Sequence, residues 1–87
     1  MKELTEIERD ANGYHFKCRW DGELDIETEI DEARRHCAVA SPSEVSVINE
    51  DPHRAIVKGR GEMNVQCVRS YLIDYRGWTE PLAGAGV

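Results

Sequence analysis

The chain is short of several things, and each shortage narrows what it can be. No apolar run approaches the roughly 18 residues that a membrane-spanning helix needs, and Met1-Lys2-Glu3-Leu4-Thr5-Glu6 is too polar for a signal peptide. Cysteines number only 3, at Cys18, Cys37 and Cys67, an odd set with no paired spacing. No disulfide framework is therefore expected, and reduced thiols used as small apolar residues point to a cytoplasmic setting. There is no P-loop, no dinucleotide-binding glycine fingerprint and no serine nucleophile elbow. With 87 residues the chain has room for one domain, expected over 1–80, with the unpatterned segment 81–87 as a tail. Its 40% hydrophobic content is too high for a disordered polyelectrolyte, so a modest core forms.

Ligand-type residues are present without a ligand pattern. His15, Cys18, His36, Cys37, His53 and Cys67 have no zinc-knuckle spacing, and on a strand His15 and Cys18 point to opposite faces. Cys37 falls on an apolar stripe, where burial raises a thiol pKa and makes it a poor nucleophile. Catalytic residues, metal ligands and cofactors are accordingly not assigned, and the chain reads as a non-enzyme.

What the sequence does have is acid, unevenly placed. Of its 17 Asp and Glu, residues 1–32 hold 11 against 4 bases; residues 33–87 hold 6 against 7. An acidic N-terminal third disfavours direct contact with nucleic acid or an anionic membrane, whose phosphates repel it.

The element order predicted is βββαββα, an α+β fold with an antiparallel sheet opened by a three-stranded meander and both helices on one face. Residues 3–10 form the first strand, turned by Asn12-Gly13 into residues 14–20, where Tyr14, Phe16, Cys18 and Trp20 alternate with His15, Lys17 and Arg19. A two-residue Asn12-Gly13 loop sets Ile7 opposite Cys18, Glu8 opposite Lys17 and Glu6 opposite Arg19. A three-residue Trp20-Asp21-Gly22 loop then leads into a third strand over 23–27, with Arg19 opposite Glu23 and Lys17 opposite Asp25. Ile26 also continues the apolar stripe of the following helix, so a helix beginning at Asp25 competes with that strand. The helix is expected from Thr28 to Ala40, with Thr28 and Asp31 at capping-box spacing. Val45–Ile48 and Ala55–Lys58 read as a hairpin turned at Asp51-Pro52-His53-Arg54, and residues 62–76 as a helix closed by Gly77, although strand alternation of Val65, Cys67, Tyr71, Ile73 and Tyr75, broken at Arg69, competes with it.

Two features compete for function. Asp21, Glu23, Asp25, Glu27, Glu29 and Asp31 place an acid at every second residue, which on a strand is a row spaced about 6.6–6.8 Å. Such a row suits an inhibitor or regulator that docks on a basic, nucleic-acid-binding protein by mimicking a phosphate backbone. The partner-binding residues expected are Glu23, Asp25 and Glu27, with Glu6, Glu8 and Asp10 beside them and Trp20 as an aromatic anchor at the edge. The rival class is a structural subunit, monomer or homodimer, that self-associates through a sheet edge or through Tyr71 and Tyr75. A lesser feature is Lys58-Gly59-Arg60-Gly61, a basic glycine loop entering a helix, which reads either as a flexible connection or as an anion contact.

Overall fold

The computed structural model describes residues 1–80; segment 81–87 lies outside the described residues. The elements are β1 (Lys2–Leu4), β2 (Glu8–Asp10), β3 (Gly13–Trp20), α1 (Ile26–His36), β4 (Ser46–Asp51), β5 (Arg54–Gly59) and α2 (Glu62–Arg76). This is the α+β fold in the order βββαββα, with a five-stranded antiparallel sheet and the helices on one face. The sheet order is β1-β3-β5-β4, and β2 also pairs with β3, so β1 and β2 share one edge of that central strand.

The alternation in β3 does what its period requires. Phe16, Cys18 and Trp20 are buried beneath the helices, together with Leu4, Ala55 and Val57 from the other strands and Val45 just before β4. Ile26, Ile30 and Ala33 of α1 and Val65, Val68 and Leu72 of α2 close the core from above. Helix α2 ends where Gly77 adopts the left-handed conformation, φ 77°, and its N–H reaches the Leu72 carbonyl. Beyond it, Trp78 returns to the core and Thr79 bonds to both Lys2 and Leu4, so the chain covers the outer edge of β1.

Several sequence expectations are corrected. The expected first strand is broken in two. Thr5 exchanges backbone and hydroxyl hydrogen bonds with Lys17 (3.0 and 2.9 Å), then Glu6 and Ile7 leave the ladder. Arg69 of α2 donates to the Thr5 carbonyl at 2.8 Å and holds the break. Leu4, not Ile7, lies opposite Cys18, while Glu3 lies opposite Arg19 and Glu8 opposite His15. The turn is Ala11-Asn12, because Gly13 already pairs with Asp10. The Asp10 carboxylate accepts the Asn12 N–H at 2.7 Å, closing the turn one residue earlier than Asn12-Gly13 would. Gly13 has φ 137° and its α-carbon faces the Gly59 backbone so closely that a β-carbon would overlap it.

Residues 23–27 are not a strand. Gly22 takes the left-handed conformation, φ 71°. The chain then enters α1 at Ile26, with Asp25 as N-cap accepting from the Thr28 N–H (3.3 Å) and hydroxyl (2.9 Å). A capping side chain at Asp25 decides the competition for the helix, and the second neighbour of β3 is therefore β5. Helix α1 stops at His36 rather than Ala40, since Ala38 turns left-handed, φ 54°. The expectation of three free thiols also fails. Cys37 at the end of α1 and Cys67 on α2 form a disulfide, their α-carbons 6.0 Å apart. Only the meeting of the two helices brings these residues together, so their spacing in sequence carries no trace of it. The reducing, cytoplasmic setting rested on unpaired thiols and loses that basis. No helix among the described residues is long and apolar enough to cross a membrane.

Candidate charged binding surfaces

The row of alternating acids does not survive folding as a row. Glu23 and Glu27 are exposed, and Asp25 is spent in part on its cap. Asp21 binds the N-terminal ammonium at 2.7 Å, which holds its carboxyl below the usual range. Helical geometry turns Glu29 inward, where it is 4% exposed and ion-paired to Arg76 at 2.6 Å. Asp31 pairs with Arg35 at 2.7 Å and with Arg34 at 3.4 Å; the Arg35 hydrogen bond and charge depress its pKa.

The predicted site residues fall into two groups. Glu23, Asp25 and Glu27 follow the Trp20 end of β3; Glu23 and Asp25 line a shallow hollow shared with Pro52 and His53 of the β4–β5 turn, and Glu27 lies in the first turn of α1. Glu8 and Asp10 lie at the other end of the same strand, Glu8 opposite His15 in the ladder and Asp10 opposite Gly13 with its side chain reaching His15. Eight residues of extended chain span roughly 24 Å, so the two groups do not form one surface. Glu6 sits in the break between β1 and β2, next to Ile7, Gln66 and Arg69. Trp20 is no edge anchor. It is 3% exposed and meets Trp78 edge-on, ring centroids 6.1 Å apart, inside the core.

On the open face of the sheet the register brings bases together. His15 lies opposite Lys58, Lys17 opposite Ile56 and Arg19 opposite Arg54. Acids flank them: Glu3 binds Arg19 at 2.6 Å, Asp10 binds His15 at 2.8 Å and Asp51 binds Arg54 at 2.7 Å. Asp10 is held below the usual carboxylate range first by the Asn12 N–H and then by His15, and Asp51 first by the His53 N–H and then by Arg54. Arg9, Lys17, Lys58 and Arg60 have no acidic partner among the described residues.

Three of those four, Arg9, Lys58 and Arg60, line one cleft of about 730 Å³ at the Gly13 end of the sheet. Its walls are the β2–β3 turn, Ser43 of the loop before β4, Ser46 at the start of β4 and the loop between β5 and α2, and its one carboxylate is Asp10. The first turn of α2 opens beside it, with Gly61 as an N-cap that offers no side-chain acceptor. Lys58 and Arg60 were visible in the sequence as a basic glycine loop. Arg9 was not, because the β3–β5 pairing that carries it there is non-local.

The remaining reactive groups are quiet. Cys18 is buried and its thiol is pushed up to about 12 by desolvation, so it is neither nucleophile nor ligand at neutral pH. No three His, Cys, Asp or Glu side chains gather into a metal-binding group among the described residues. His36 stacks against Tyr71 and Tyr75 (centroids 4.7 and 5.1 Å), which joins the aromatic face of α2 to the end of α1 and leaves Tyr75 67% exposed. No family model, no curated protein and no solved structure matches the chain.

Proposed function

We propose that the protein is a small non-enzymatic binding module, an inhibitor or regulator whose acidic end docks on the basic surface of a nucleic-acid-binding protein. One observation carries the reading: Glu23, Asp25 and Glu27 are exposed, adjacent and without a cationic partner among the described residues, whereas most of the surrounding acids are neutralised by a base. A concentrated negative patch steers a basic partner and speeds association, with an effect that fades over a Debye length of about 8–10 Å at physiological salt. The contact is a local patch rather than an imitation of a phosphate row, because the row ends at the Asp25 cap.

The test separates charge from folding. Glu23→Lys and Glu27→Lys combined with Asp25→Asn reverse or remove the charge while asparagine keeps the cap. Binding to purified basic nucleic-acid-binding proteins should weaken steeply with added salt and vanish in this variant. Affinity that survives both sinks the reading. Self-association remains the second reading, favoured by the exposed Tyr75 ring, and a sedimentation coefficient that does not change with concentration removes it.

A further inference from the structure

We propose that the cleft between the β2–β3 turn and the β5–α2 loop is an anion site that takes a phosphate-bearing ligand. It is independent of the acidic end, which lies at the far end of β3. The fold brings Arg9 from β2 to Lys58 and Arg60 of the β5–α2 segment, and the three line one concavity of about 730 Å³. Like charges brought together repel, and elsewhere in this acid-rich chain Lys and Arg are mostly matched with carboxylates. Here the one acid on the wall, Asp10, is engaged by His15 at 2.8 Å and by the Asn12 N–H at 2.7 Å. A bound anion relieves the repulsion that the protein leaves uncompensated.

The donors suit phosphate better than a single carboxylate. Two guanidinium groups offer planar pairs of N–H donors matched to phosphate oxygens, and Lys58 adds a point charge. Tyr14, Ser43 and Ser46 line the same walls. Arg60 and Ser43 are shared with a second hollow that reaches Gly61, Asn64 and Glu44; the Glu44 carboxylate there accepts from the Asn64 amide at 3.4 Å, and the uncapped start of α2 adds free N–H groups beside the cations. Three positive charges match a dianion or a diphosphate. Such a group belongs either to a free phosphorylated small molecule or to a nucleic-acid backbone, and Lys17, exposed on the open face two residues beyond His15, lies where a longer strand would continue.

Amide shifts of the isotope-labelled full chain, followed during titration with inorganic phosphate, pyrophosphate and a short single-stranded oligonucleotide, test the site. Saturable shifts are expected at Arg9, Gly13, Ser43 and residues 58–62, tighter for pyrophosphate than for phosphate. Arg9→Gln, Lys58→Gln and Arg60→Gln should each weaken pyrophosphate binding by about tenfold, the loss of one charge-assisted contact. All three residues are on the surface, and an unchanged thermal midpoint confirms an intact fold. Pyrophosphate binding that Lys17→Gln leaves unaltered assigns a free phosphorylated ligand. Tighter oligonucleotide binding that Lys17→Gln weakens assigns a nucleic-acid backbone. Shifts that fail to saturate, or that persist unchanged in the triple variant, overturn the site.

Discussion

Trp78 donates its indole N–H to Oε1 of Glu29 at 2.9 Å, joining the first half of α1 to the chain that follows α2. The other oxygen, Oε2, accepts two hydrogen bonds from Arg76 at 2.6 and 3.0 Å, and Lys2 of β1 stands 3.5 Å from Oε1 with its ammonium over the Trp78 ring. One carboxylate therefore ties together β1, α1 and the end of α2. A buried charge costs folding energy unless it is fully paired, and this one is. Removing it leaves the Trp78 N–H without an acceptor and Arg76 with Glu32, at 3.1 Å, as its remaining carboxylate. Glu29→Ala should lower stability by about 2–3 kcal/mol in urea unfolding. The exposed Glu27→Ala should change it by no more than about 0.5 kcal/mol. Equal effects would mean that the network contributes nothing.

The same carboxylate sets the acid limit of the fold. Burial alone would raise its pKa, but hydrogen bonds from Arg76 and Trp78 and the charges of Lys2 and Arg76 outweigh it, so the folded pKa lies below the usual value. Asp10, Asp21, Asp31 and Asp51 are shifted in the same direction. A depressed folded pKa stabilises the protein above the unfolded value, and that contribution disappears as pH falls through the folded one. Stability should be flat from neutrality to about pH 5 and fall below about pH 4. In Glu29→Gln the fall should be shallower. An acid limb of unchanged slope would assign the loss to the surface aspartates instead.

Cys37 and Cys67 close a loop of 30 residues. On the chain-entropy view, a cross-link of that span stabilises by about 3–4 kcal/mol by restricting the unfolded chain. Reduction, or the double change Cys37→Ser with Cys67→Ser, should lower the urea midpoint accordingly without altering the native far-ultraviolet circular dichroism. Thiol counting supplies the companion measurement. The native oxidised protein should react at no cysteine, since Cys18 is buried with its pKa pushed up to about 12, and unfolding without reductant should expose that one thiol.

How much of this was legible in the sequence depends on the range of the interaction. Helix α2 has the bounds expected of it, because Val65, Val68 and Leu72 repeat at helical spacing and Gly77 marks the stop; the competing alternation from Val65 to Tyr75 fails where Arg69 interrupts it. The β4–β5 hairpin was readable from Pro52 and the β-branched run beside it. Register at the N-terminus was not, because the Asp10 side chain moved the turn and the Arg69 contact with Thr5 broke the strand from a distance of 64 residues. The acids at 21–31 alternate at a strand's period, yet the cap at Asp25 starts a helix that takes Glu27, Glu29 and Asp31, and the helix sends Glu29 inward. The basic cleft has parts that can be named from the sequence, Lys58 and Arg60 above all. Its existence depends on β3 pairing with β5, and nothing local to Arg9 announces that.

Ala38 offers a stabilising change at the end of α1. Its φ of 54° is the only positive value at a non-glycine residue among the described ones. There its N–H bonds to the Arg35 carbonyl at 3.2 Å, and the next N–H, of Val39, to that of Arg34 at 2.9 Å. This is the position after a helix that glycine favours, since the β-carbon of an L-residue clashes in the left-handed conformation at a cost of roughly 1–2 kcal/mol. Ala38 is exposed, so losing its methyl group opens no cavity. Glycine also gains freedom in the unfolded chain, which offsets part of the relief. Ala38→Gly should raise stability by about 0.5–1 kcal/mol. Ala40, exposed and without positive φ, is the control: Ala40→Gly should lower stability by about 0.5 kcal/mol through the unfolded state alone. Two losses of similar size would show that the left-handed turn at Ala38 carries no strain worth relieving.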